Sequence, residues 1–128
     1  MIQTATPETA ATGRVRTITL WVLQIAAALA FLAAGGAKLA GAGQMVAVFD
    51  KIGVGQWFRY LTGLLEVAGA IALFIPRYAL YAAVTLMLVM AGAVFSHLTI
   101  VGGSPLPPII LLLLSATIAY LRNLENRQ

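Results

Sequence analysis

The distribution of apolar residues along the chain predicts four long helices. Four runs are almost free of charged side chains, at about 17–40, 57–75, 79–101 and 106–122. Each is close to the roughly 20 residues that an α-helix needs to cross a bilayer. The last three runs are separated by short connections that contain proline or glycine, which end helices and turn the chain. We therefore predict an all-α fold, an integral membrane bundle of four antiparallel helices.

The segment between the first and second runs has a different pattern. Met45, Val48, Phe49 and Ile52 recur at the spacing of one helical face, and glycines lie at both ends of the segment. This pattern predicts a short amphipathic helix at about 44–52 that lies at the membrane interface. Such a helix either covers the outer end of the bundle or only connects two spans, and the pattern fits both interpretations.

The two ends of the chain lack apolar runs. Residues 1–16 are rich in Thr, Ala, Pro and Gly without apolar periodicity, and we predict a mobile tail there. The run that follows is too long for the apolar part of a signal peptide, so we interpret it as an uncleaved first span. Residues 123–128 are mostly polar or charged, and we predict a second tail outside the membrane.

Composition supports the membrane class. Of the 128 residues, 61% are hydrophobic and 9% are charged, which would leave a soluble domain without a polar surface. The net charge of +4 comes from Lys and Arg near the ends of the runs, without a basic patch containing aromatic residues, so no nucleic acid partner is expected. The chain has no cysteine, which excludes disulfides, thiolate nucleophiles and any dithiol relay within it.

The distribution of Lys and Arg predicts an orientation. Lys51 lies on one side of the predicted spans, together with the membrane-proximal Lys38 and Arg59. The other side has five arginines, Arg14, Arg16, Arg77, Arg122 and Arg127. The positive-inside rule then places both termini in the cytoplasm, and we expect the protein in a bacterial inner membrane.

The second run contains a carboxylate, Glu66, near its middle. An ionisable group at that depth costs at least a few kcal/mol unless it finds a partner, a proton or water. Arg59 precedes it by seven residues on nearly the same helical face, and Gly63 and Gly69 bracket it at three positions on either side. These small residues admit a neighbouring helix or a ligand. Glu66 is therefore either a proton donor and acceptor for a ligand or a structural acid that pairs with Arg59 or Lys38.

The first and third runs bring further polar groups to the outer half of the predicted bundle. Gln24, Phe31, Gly35 and Lys38 share one face of the first helix, which we expect to look into the bundle, and Lys38 is the member near the outer end. Lys38 either contacts a ligand or extends to the lipid headgroups. The only histidine, His97, lies near the outer end of the third run and has no second His or Cys with which to bind a metal. We interpret it as a helix-end cap or a tuned acid.

The sequence also resembles a known family, the DoxX-like family of small four-helix membrane proteins. The similarity extends from Thr17 to Leu121 and lies in three ordered motifs: Phe31, Gly35, Lys38 and Leu39 in FLAAGGAKLAG; Met45, Phe49 and Gly53; and Gly63, Glu66, Gly69 and Pro76 in GLLEVAGAIALFIP. Members resemble subunits of membrane oxidoreductase systems, including quinone-linked thiosulfate oxidation and a mycobacterial oxidative-stress complex. Related vertebrate proteins resemble receptor-assembly factors. The resemblance implies a role in membrane redox processes, with a quinone as the ligand.

Three classes of function are consistent with these patterns. The first, which we favour, is a subunit that binds a lipophilic molecule with a polar head, in which Glu66 handles a proton. The second is a non-redox membrane enzyme, an isomerase or hydratase that uses Glu66 as acid or base. The third is a non-catalytic assembly factor whose polar residues serve helix packing.

For the first class, the expected partners are the bilayer, a lipophilic small molecule, and a membrane redox protein or a second copy of the chain. Glu66 is the candidate catalytic residue. The candidate ligand-binding residues are Lys38, Arg59, His97, Phe31, Gly35, Gly63 and Gly69.

Overall fold

The protein is all-helical in a computed structural model that describes residues 6–127. Helices account for 88% of this range, which contains no strand. In chain order they are α1 (Pro7–Ala40), α2 (Gly43–Ile52), α3 (Trp57–Ala72), α4 (Pro76–Ser96) and α5 (Leu106–Asn126). A π-helical segment, His97–Val101, continues from the end of α4. The predicted all-α class is confirmed.

Three of the described helices are long and apolar enough to cross a membrane: Pro7–Ala40, Pro76–Val101 and Leu106–Asn126. The predicted second span, 57–75, is shorter as a helix, because α3 has 16 residues and is about 24 Å long. Ile75 is extended, with φ −106° and ψ 106°, as expected for a residue that precedes proline. The chain therefore leaves the helical conformation before Pro76. The antiparallel four-span arrangement remains a prediction.

The first helix begins ten residues before the predicted first span. Residues 7–16, which we had assigned to a mobile tail, form its first turns. Thr6 caps this end, because its Oγ1 accepts a hydrogen bond of 3.1 Å from the backbone N–H of Thr9. Pro7 occupies the first helical position, where its fixed φ suits the helix. These signals start a helix without apolar periodicity, which is why the hydrophobic pattern did not predict it. Residues 1–5 lie outside the described residues.

The predicted C-terminal tail, 123–128, is also largely helical, since α5 continues to Asn126. Glu125 connects this end to α1. Its Oε1 accepts a hydrogen bond of 2.9 Å from Arg16 Nε and one of 3.2 Å from Thr17 Oγ1. Gln128 lies outside the described residues.

Packing joins α1 to α3 and α5, and α4 to the same two helices. Along α1, Gln24 meets Leu73 and Gly35 meets Gly63, so α1 and α3 run in opposite directions. α2 contacts α3 and the π-helical segment. The apolar core between the long helices consists of Leu20, Ala27, Ala28, Phe31, Ala70, Leu73, Ala82, Ala83, Leu86, Met90 and Ile118.

The close approach of α1 and α3 depends on two glycines. A Cβ added to Gly35 would lie 2.8 Å from the carbonyl oxygen of Gly63, and a Cβ on Gly63 would lie 3.0 Å from that of Gly35. Side chains at either position would push the two backbones apart. Gly69 makes a similar contact with α4, where an added Cβ would lie 2.8 Å from Leu86 Cδ2. The small residues around Glu66 therefore pack on two neighbouring helices.

Candidate functional site

A buried ion pair joins α1 to α3. Glu66 has no exposed surface, and Lys38 Nζ lies 3.1 Å from both of its carboxylate oxygens. Only the contact with Oε2 has the geometry of a hydrogen bond. In the part of the chain that the structure describes, Oε1 is buried without a hydrogen-bond donor. Lys38 lies in the last turn of α1, where the negative end of the helix dipole favours a cation.

The ion pair forms part of the wall of a cavity of about 910 Å³. Most of the wall is apolar, with contributions from the end of α1, from α2, α3 and α4, from the π-helical segment and from the start of α5. The apolar lining residues include Met45, Val48, Phe49, Ile52, Phe58, Leu61, Leu65, Leu88, Met90, Phe95, Val101 and Pro107. Cavities with apolar walls and a few convergent polar groups are typical binding sites for small lipophilic molecules.

His97 also lines the cavity, at the first position of the π-helical segment. Its Nδ1 lies 3.0 Å from the carbonyl oxygen of Gly102, and the backbone N–H of Gly102 donates to the carbonyl oxygen of His97. Because a carbonyl only accepts hydrogen bonds, Nδ1 carries the hydrogen and Nε2 of the neutral ring is an acceptor. The side chain therefore caps the C-terminal end of the π-helical segment through Gly102. Turns of π-helix are frequent at functional sites.

Arg59 is only 5% exposed and is not among the residues that line the cavity. Its Nη1 donates to the backbone carbonyl of Lys38, and its Nε donates to Gln56 Oε1 at 2.6 Å. Gln56 Nε2 in turn donates to the carbonyl of Val46 at 3.1 Å and to Asp50 Oδ1 at 2.8 Å. Arg59 thus satisfies a carbonyl at the C-terminal end of α1 and connects it to α2, which positions the backbone that carries Lys38.

Of the eight residues predicted for the site, the structure places three on the cavity wall: Glu66, Lys38 and His97. The other five lie in the packing around it. Arg59 is a buried link between helices, and Phe31 is a core residue without exposed surface. The three glycines, Gly35, Gly63 and Gly69, form the close helix contacts described above.

The sequence profile of the DoxX-like family matches residues 22–119. The chain belongs to the DoxX-like family. This match confirms the resemblance found in the sequence. The matched range contains the three predicted site residues that line the cavity. No curated protein and no solved structure matches the chain significantly.

A second buried polar cluster in this DoxX-like protein was not predicted. Arg122 is 6% exposed, and its Nε and Nη2 donate to Gln24 Oε1 at 3.1 Å and 2.6 Å. Gln24 Nε2 donates to the carbonyl of Leu73, just beyond α3, at 3.0 Å. The cluster thus connects α1, α3 and α5. The inward position of Gln24 was predicted, but Arg122, at the end of the last apolar run, had only been counted among the arginines on the cytoplasmic side.

Proposed function

We propose that this DoxX-like membrane protein binds a lipophilic molecule with a polar head in the cavity beside Glu66. The observation that carries the proposal is the Lys38–Glu66 pair in the wall of a mostly apolar cavity. A buried ion pair is a poor source of stability, because desolvation offsets much of the attraction between the charges. A role in binding accounts for its presence where apolar side chains would pack equally well.

The chemistry of the pair suits a polar head that exchanges a proton. Lys38 has three N–H donors, and one of them is used by Glu66 Oε2, so others are available to an oxygen of the ligand. Glu66 can accept a proton from the head or return one. We favour a quinone-type molecule and a link with membrane redox processes, and this part of the proposal rests on the family resemblance.

We also propose an orientation of the protein in the membrane. Both termini lie in the cytoplasm and the cavity opens toward the outer leaflet of a bacterial inner membrane. The support is the asymmetry of Lys and Arg along the chain. In this arrangement α3 is the second of four spans in an antiparallel bundle, with residues 73–75 extending the apolar segment beyond its helical part.

Two glycines provide a matched test. Gly92 lines the cavity and Gly36 does not, and apart from the adjacent turns of its own helix no described atom lies within 4 Å of a Cβ added to either. Leucine at Gly92 would fill part of the cavity, whereas leucine at Gly36 would leave it open. The wild type and both variants would be purified in mild detergent, and their bound lipophilic molecules would be extracted and identified by mass spectrometry. Added decylubiquinone would then be titrated into each protein.

We expect the wild type and Gly36→Leu to carry a co-purified molecule, and Gly92→Leu to carry less of it. Decylubiquinone should likewise bind to the first two proteins and bind more weakly to Gly92→Leu. Equal amounts in all three proteins would place the bound molecule outside the cavity. If the wild type neither carries a lipophilic molecule nor binds decylubiquinone, the proposed function is wrong.

A further inference from the structure

One oxygen of Glu66 accepts no hydrogen bond, and this indicates what the head of the bound molecule would supply. Oε1 is buried, belongs to a residue that lines the cavity, and has no hydrogen-bond donor among residues 6–127. Lys38 Nζ is 3.1 Å away, but its hydrogen bond goes to Oε2. Leaving a buried charged acceptor without a donor is costly. A molecule in the cavity can reach this oxygen, because Glu66 lines the wall, and its head would remove that cost by donating a hydrogen bond.

The wall also has donors at Lys51 and Gln44, but three of its polar groups present acceptors. Thr62 and Ser96 donate their hydroxyl hydrogens to backbone carbonyls of their own helices, at 2.8 Å and 2.9 Å. Their remaining capacity toward the cavity is the lone pairs of the oxygen. His97 uses its Nδ1 hydrogen for Gly102, which leaves Nε2 as an acceptor. A head that only accepts hydrogen bonds would find a partner at Lys38 but would leave these acceptors unsatisfied.

A hydroxyl group complements the ion pair on both sides. It donates its hydrogen to Glu66 Oε1 and accepts a hydrogen bond from Lys38 Nζ, whereas a carbonyl or ether oxygen does only the second. We infer that the cavity selects lipophilic molecules whose head carries a hydroxyl group, such as a phenol or the quinol form of a quinone. This inference rests on the proposed function and narrows it to one class of head.

The test compares two probes that differ in one hydrogen-bond donor, 4-octylphenol and its methyl ether 4-octylanisole. The protein would be reconstituted in lipid nanodiscs, and the dissociation constants would be measured by calorimetry, with empty nanodiscs correcting for partition into lipid. We expect the phenol to bind about tenfold more tightly, as expected for one hydrogen bond to a charged acceptor. Glu66→Gln removes the charge and adds a donor, so the ratio should fall toward parity. Gly36→Leu, away from the cavity, should keep it.

The wild-type comparison decides the question even if Glu66→Gln does not fold. Equal binding of both probes, weakened for both by Gly92→Leu, would overturn the selection of a hydroxyl head and leave the proposed site intact. Tighter binding of the ether would also overturn it, because Glu66 would then be acting as a donor. If neither probe binds above the empty nanodiscs, the proposed binding function fails together with the inference.

Discussion

At the scale of residues, a pair of glycines makes a close contact between α1 and α3, and two adjacent positions of α1 provide a test of it. A methyl group on Gly35 would lie 2.8 Å from a backbone oxygen of α3, whereas one on Gly36 would meet no described atom within 4 Å. Both substitutions to alanine bring the same gain in helix propensity. Only the first strains the contact, so any difference in stability reports on the packing.

We therefore expect Gly35→Ala to lower the free energy of unfolding by about 1–3 kcal/mol, the usual cost of overpacking. Gly36→Ala should leave it unchanged or slightly raised. Thermal unfolding in detergent, followed by circular dichroism, would measure both. Equal melting temperatures would contradict the packing described above, because they would show that the backbones of α1 and α3 can move apart to admit a methyl group without loss of stability.

The Gln24–Arg122 contact allows a second residue-scale prediction. Gln24→Leu removes the acceptor of a buried guanidinium and should cost about 2 kcal/mol, as expected for a hydrogen bond to a charged group. Adding Arg122→Met removes the stranded charge, so the double variant should be more stable than the sum of the two single changes predicts. Unfolding of all four proteins of the cycle would be measured, with the exposed Arg127→Met as control. Additive effects would mean that the two side chains do not interact.

The sequence could predict which residues face inward but not all of their partners. The predicted four-span topology brought Glu66 and Lys38 to the same half of the bundle, and the structure has them in contact at 3.1 Å. Arg59 was assigned to the ligand because it shares a face with Glu66. Its carbonyl partner on α1 depends on where that helix ends, at Gly41 with φ 75°, and on the inter-helix register. Spacing within one helix contains no information about that register.

At the scale of elements, α2 is held beside α3 by the side chain of one connecting residue. Gln56 accepts from Arg59 and donates to Val46 and Asp50 of α2. Phe49 is the only residue of α2 that is buried, so few other contacts fix this helix. Elements with few buried contacts open more readily than the rest of a structure. Because α2 contributes to the cavity wall, Gln56 is expected to control its opening.

Gln56→Leu should accordingly increase amide hydrogen exchange in residues 43–52 by about tenfold, the effect of losing roughly 1.4 kcal/mol of local stability. Exchange in α4 and α5 should be unchanged. Thr85→Val is a suitable control, because Thr85 donates only to the carbonyl of Tyr81 on its own helix. Unchanged exchange in α2 would mean that its apolar contacts alone hold it in place.

The element boundaries show where the hydrophobic pattern is and is not informative. It placed the end of the first run at residue 40 and a short helix at about 44–52, and the structure has α1 ending at Ala40 and α2 at Gly43–Ile52. It did not predict the start of α1 at Pro7, which depends on the capping of Thr6 rather than on burial. It also gave no indication of the π-helical turn at His97–Val101, because a change of hydrogen-bond register leaves an apolar sequence unchanged.

At the scale of the whole molecule, the helices differ in length from the thickness of the hydrocarbon core: α1 is longer and α3 is shorter. α1 has 34 residues and is about 51 Å long, whereas the hydrocarbon core is about 30 Å thick. Its first turns, which carry Glu8, Arg14 and Arg16, are therefore expected to project beyond the membrane. The contact of Arg16 with Glu125 shows that the end of α5 lies on the same side.

This side should be the cytoplasm, and the absence of cysteine makes the prediction directly testable. Single cysteines at Gly13 and Gln128 should react with an impermeant thiol reagent only after the membrane is opened. A cysteine at the exposed Val54, between α2 and α3, should react in intact cells. The C-terminal end of α3 lies beside Gln24, toward the cytoplasmic end of α1, and Val54 lies at the other end of α3. Labelling at Gly13 in intact cells would reverse the orientation, and the cavity beside Glu66 would then open toward the cytoplasmic leaflet. Labelling of all three cysteines only in opened membranes would instead mean that α1 does not cross the bilayer. Labelling of both Val54 and Gln128 in intact cells would mean that α3 does not cross it, because three spans place the termini on opposite sides.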